Sequence, residues 1–88
     1  MKATHHFFNE VGSTIEIPEG FTCAHVTSVS GTLTVYASDP DPVTGDQVQY
    51  FVAEGETLPF WKITMPYKAV TIVTPAQAES KGWYIVGP

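Results

Sequence analysis

The 88-residue chain carries nine acidic residues against four lysines and no arginine, a formal charge of −5, which excludes the basic stripe that nucleic-acid and anionic-membrane binding require. Hydrophobic residues make up 43% of the chain and charged residues only 15%. A chain this short hides only about 60–65% of its unfolded surface on folding, so part of that apolar content is expected to be buried against another chain. Cys23 is the only cysteine, which excludes an intrachain disulfide and fits folding in a reducing cytosol.

Residues 1–12 read as an N-terminal arm. They include Phe7 and Phe8 but lack the 7–15-residue apolar stretch of a signal peptide. No window approaches the ~20 apolar residues of a membrane helix, so the sequence predicts a soluble protein in a single β domain, 13–88. Within it, 13–17 alternates with Ile15 and Ile17 on one face and stops at Pro18-Glu19-Gly20. Runs 22–29 and 32–37 follow, joined through Ser30-Gly31, and they predict a hairpin because glycine accepts the positive φ of tight turns. Leu33, Val35 and Ala37 would share one face.

The stretch 38–46 places two prolines among aspartates and reads as the longest loop. Alternation resumes over 47–53, where Val48, Tyr50 and Val52 fall together. The next run is 58–65, whose Pro59 lacks a ladder donor and therefore predicts an edge or a bulge. Phe60 and Trp61 would then point to opposite faces of one strand. Strands are also expected at 69–74 and 83–86, with at most one helical turn at 75–80. About seven short strands, with turns every 8–12 residues, predict an all-β antiparallel sandwich or a small jelly-roll-like barrel.

Chemistry-bearing residues are sparse. Cys23 and His25 lie two apart on one strand and so share a face, and His5-His6 add nitrogen donors, but a zinc site needs three or four converging ligands. The expectation is no metal, with Cys23 buried and dispensable and His25 at the surface. The aspartate loop differs from a calcium loop at Val43 and Thr44, and no glutamate closes it. No nucleophile motif accompanies the Cys23–His25 pair, and phosphate-cradling glycine loops are absent. The sequence predicts no enzyme and no cofactor.

The aromatic residues are the stronger signal. The neighbouring pairs Phe7-Phe8, Phe60-Trp61 and Trp83-Tyr84 put one ring on each face of an extended strand, and exposed aromatics are enriched at binding surfaces. Phe7, Phe8, Trp61, Tyr67, Trp83 and Tyr84 are the candidate interface residues. An aromatic platform would also serve a carbohydrate- or ligand-binding module, which is the alternative function.

Through Ile15-Glu-Ile-Pro-Glu-Gly20, Gly31-Thr-Leu-Thr-Val-Tyr36, Glu54-Gly-Glu-Thr-Leu-Pro-Phe60 and Gly82-Trp-Tyr-Ile-Val-Gly87, the chain resembles the small accessory structural proteins of tailed bacteriophage particles, the capsid decoration or cement proteins. The resemblance implies a non-enzymatic virion protein, made in the host cytoplasm, that forms a homo-oligomer such as a trimer and attaches to a capsid protein. No signature residue defines that class, so it assigns no role to any one position.

Overall fold

Among the described residues the chain forms eight strands: β1 (Thr4–Glu10), β2 (Thr14–Ile17), β3 (Cys23–Ser30), β4 (Leu33–Ala37), β5 (Gln49–Val52), β6 (Thr57–Pro59), β7 (Val70–Val73) and β8 (Ser80–Gly87). The computed structural model describes residues 3–21, 23–63 and 68–87, with the backbone alone for Cys23. The two halves of the chain pair in mirror order. β1 lies against β8, β2 against β7, β3 against β6 and β4 against β5, all antiparallel. The chain is thus one long ribbon folded back at the 38–48 loop. Rolling the ribbon brings β3 against β8 and β4 against β7 and yields two four-stranded sheets, β1-β8-β3-β6 and β2-β7-β4-β5. This is jelly-roll winding, a double-sheet sandwich. The all-β fold expected from the alternation holds, with eight strands rather than about seven.

Alternation decides which side chains meet between the sheets. Ile17 from β2, Leu33 and Val35 from β4, Val52 from β5, and Val70 and Ile72 from β7 face Val26 of β3 and Leu58 of β6, all buried. Phe21 and Phe60 complete this core, their rings 5.9 Å apart and edge to face. Of the predicted faces, Ile15/Ile17, Leu33/Val35 and Tyr50/Val52 turn inward, whereas Val48, grouped with Tyr50 and Val52, lies ahead of β5 and is exposed, and Ala37, at the end of β4, is only partly buried.

Three expectations need correction. The segment 1–12, read as an arm, contains β1, a seven-residue edge strand paired along its length with β8. The 22–29 and 32–37 runs do not form a hairpin, because β3 and β4 belong to different sheets. Gly31 does adopt a positive φ of 85°, but here it turns a corner. A bulge between Ser28 and Ser30 and a hydrogen bond from the Ser28 hydroxyl to the Gly31 carbonyl swing the chain across, so that Val26 and Leu33 face one another through the core. Bulges and bends are how strands switch sheets, and they call for the same glycine as a hairpin. The third correction concerns 58–65. β6 ends at Pro59, and Phe60–Lys62 form a 3-10 turn, so the one described helical turn is there and not at 75–80. Pro59 does lie on an edge strand, as expected, since β6 pairs only with β3.

The β1–β2 corner is closed by side-chain hydrogen bonds. Thr74, buried after β7, accepts from the Ser13 N–H through Oγ1 at 2.7 Å, and its own N–H donates to the Ser13 carbonyl at 2.9 Å. Thr74→Val keeps the shape but strips the Ser13 N–H of its partner, so we expect a loss of about 1–3 kcal/mol. Urea unfolding checks this, with a lower midpoint and an unchanged slope as the expected signature.

No described helix is long and apolar enough to cross a membrane.

Candidate functional site

The register of the β1-β8-β3-β6 sheet sorts its side chains into two sets. Residues 4, 6 and 8 of β1 align with Val86, Tyr84 and Gly82, on the side of Val26, where Phe8 packs against the core while Thr4 and His6 stay exposed. The intervening residues form the outer face, with Asn9, Lys81 and Ser30 at one end and two transverse rows at its centre. One row reads Phe7, Trp83, Thr27, Thr57, and the other reads His5, Ile85, His25, Pro59.

The first row and its neighbour form an aromatic cluster. His5 stacks on Phe7 with centroids 5.3 Å apart and planes 10° from parallel. Trp83 leans on both, 6.0 Å from Phe7 and 6.1 Å from His5, at tilts of 55° and 53°. Phe7 remains 76% exposed. The row continues as the Thr27 and Thr57 hydroxyls, hydrogen bonded to each other at 2.8 Å.

No described strand residue on this face is acidic, although the chain holds nine carboxylates. Glu79 reaches only its rim, where the Lys81 ammonium lies 3.6 Å away and the Asn9 amide, turned to donate, comes within 2.9 Å. Of the other acids, Glu10 ends β1 and aligns with Ser80, in the set that points away from this face, and the rest sit on turns, loops and the opposite sheet: Glu16 on β2, Glu19 after it, Asp39, Asp41 and Asp46 in the 38–48 loop, and Glu54 and Glu56 beyond β5.

The six residues picked from sequence separate accordingly. Phe7 and Trp83 meet on the outer face. Phe8 and Tyr84 turn inward and pack against the core, where His6 stacks on Tyr84 at 4.7 Å. This pair floors an open groove of about 440 Å³ between the β1 and β2 edges, with Glu16 and Phe21 in its walls. Trp61 is exposed beyond β6, at the other edge of the sheet, with the Lys62 ammonium 5.7 Å from its ring. Tyr67 lies outside the described residues. His5 was considered only as a metal ligand, yet it belongs to the cluster; its two-residue spacing from Phe7 on an extended run was the available signal.

The histidines are spread apart. His5 and His25 flank Ile85, so two strand spacings, about 9–10 Å, separate their backbones, and His6 lies on the other side of the sheet. Among the described residues no group of three or more His, Cys, Asp or Glu side chains is placed to hold a metal ion. In the aspartate loop Asp41 serves the loop itself. Its Oδ1 accepts from the Val43 and Thr44 amides at 2.8 and 3.2 Å, while its backbone bonds to Gly45 and Asp46. This is the Asx-type turn that aspartate forms with the backbone just ahead of it.

No family model, curated protein or solved structure significantly matches the chain.

Proposed function

We propose that this protein is a non-enzymatic structural component that works by docking to protein through the outer face of its β1-β8-β3-β6 sheet, as a homo-oligomer within a larger assembly. The observation that carries this reading is the exposed His5–Phe7–Trp83 cluster on a face whose described strand residues include no carboxylate, in a chain of net charge −5. An acidic surface keeps molecules apart, and a neutral aromatic patch is where approach is least opposed. Desolvating large rings supplies the main favourable term of an interface. The resemblance to capsid decoration proteins makes a virion lattice the proposed assembly and a capsid protein the proposed partner.

A carbohydrate module is the rival. A sugar stacks flat on coplanar rings, whereas Phe7 and Trp83 meet at 55° and form a ridge. The described strand residues of the face also include no carboxylate to bind sugar hydroxyls. We expect purified protein to ignore a panel of glycans, to scatter light at a multiple of 9.6 kDa, and to be encoded beside capsid and portal genes. A monomer that binds a glycan, and loses it on Trp83→Ala, would overturn the reading.

A further inference from the structure

The sandwich has four edge strands, and three are blunted. β6 is three residues long and contains Pro59; β2 is four long, carries Glu16 and runs into Pro18-Glu19; β5 is four long and emerges from the acidic 38–48 loop. Short length, proline and charge are the usual protections against edge pairing. β1 has only one of them, a single charge at its last residue, Glu10. It is seven residues long, has no proline, is free of carboxylates until Glu10, and carries the most exposed large ring of its sheet in Phe7.

We infer that β1 pairs antiparallel with β1 of a second copy across a two-fold axis at Phe7, joining two sheets into one of eight strands. This deepens the homo-oligomer reading above and rests on it. The register follows from faces and charge. Pairs that keep outer residues beside outer residues must have position numbers with an even sum, because successive side chains alternate. A sum of 14 sets Phe7 against Phe7 of the second copy, His5 against Asn9, His6 against Phe8, and Thr4 against Glu10, with no like charges opposed. A sum of 12 sets His6 against itself, and one of 16 sets Phe8 against itself on the inward side and moves Phe7 opposite Asn9, which separates the two Phe7 rings on the outer face. In the favoured register the outer face gains a continuous row, Trp83–Phe7 meeting Phe7–Trp83 of the second copy, which doubles the aromatic patch. The acids of the 38–48 loop and of the 53–56 turn are not on this edge, and the one carboxylate within β1, Glu10, falls opposite Thr4 of the second copy. An antiparallel edge pair of this kind is isologous and closes as a dimer, in place of the trimer expected from sequence.

Cross-linking reads the register. In a Cys23→Ser background, Phe7→Cys places two thiols at directly opposed positions, about 4.5–5.5 Å apart at Cβ, and mild oxidation should give a disulfide dimer. His5→Cys places its two thiols four residues apart along the strand, about 13 Å, and should not cross-link. Phe7→Lys should raise the dimer dissociation constant by about tenfold or more, while Phe51→Lys, equally exposed on the opposite sheet, should leave the mass unchanged. Unaltered far-UV circular dichroism establishes that each variant is folded. An oligomer that survives Phe7→Lys, or a Phe7→Cys chain that stays unlinked, would overturn the edge pairing while the homo-oligomer stands. A mass of 9.6 kDa at every concentration would overturn both.

Discussion

Replacing Phe60 with alanine is expected to remove about 3–5 kcal/mol of folding free energy, a large share of the roughly 5–15 kcal/mol that holds a typical domain. Phe60 is fully buried. It heads the 3-10 turn after β6 and meets Phe21 edge to face, so the truncation costs both the transfer of the ring from water and the cavity it leaves. The neighbouring Trp61, 55% exposed, provides the contrast, because Trp61→Ala is expected to change stability by no more than about 0.5 kcal/mol. Urea titrations of the two variants test the pair together. Equal losses would mean that the turn does not send one ring inward and the other out.

Gly82→Ala is expected to destabilise the fold by about 1–3 kcal/mol. Gly82 sits in β8, the strand through which β1 and β3 are joined. A Cβ there would collide with the Thr27 carbonyl oxygen and come within 2.9 Å of the Phe8 Cζ. An alanine in a strand would otherwise be favoured, by about 0.4–1 kcal/mol through the unfolded chain, and the sign of the measured effect therefore decides whether the contact is real. The phenyl ring can swing away but the Thr27 carbonyl belongs to the β3 backbone. Gly82→Ala combined with Phe8→Leu should thus recover only part of the loss. A neutral or stabilising Gly82→Ala in thermal and urea unfolding would show that β3 and β8 have room to separate.

These two positions show how far the sequence reaches. Phe60 and Trp61 were recognisable as a pair with one ring per side, because adjacent residues of an extended chain point apart. Which ring is inside was not recognisable, since the strand stops at Pro59 and a 3-10 turn sets the directions. Gly82 gave no local signal at all. Its requirement comes from Thr27 and Phe8, distant in sequence and adjacent only once β1 and β3 flank β8.

The same division runs through the candidate site. Alternation within single runs, from Ile15/Ile17 to Leu33/Val35 and Tyr50/Val52, was enough for an all-β sandwich and for most of its inner faces, though not for Val48, which is exposed where the strand has yet to begin. It depends only on the two-residue period of a strand and the drive to bury apolar side chains. Composition and charge alone likewise argued against a basic partner surface. The pairing of strands was beyond reach, because Ser30-Gly31 fits a hairpin and a sheet-switching corner equally well, and because β1 carries His5, His6 and Asn9 rather than a run of β-branched residues. Folding supplied what the runs could not. The ribbon rolls up so that β8 lies between β1 and β3, and that position sets Phe7 beside Trp83, turns Phe8 and Tyr84 inward, and keeps His5 and His25 apart. Each of these contacts joins residues tens of positions apart in the chain, and only the packing of the two sheets selects them among the alternatives that local alternation allows.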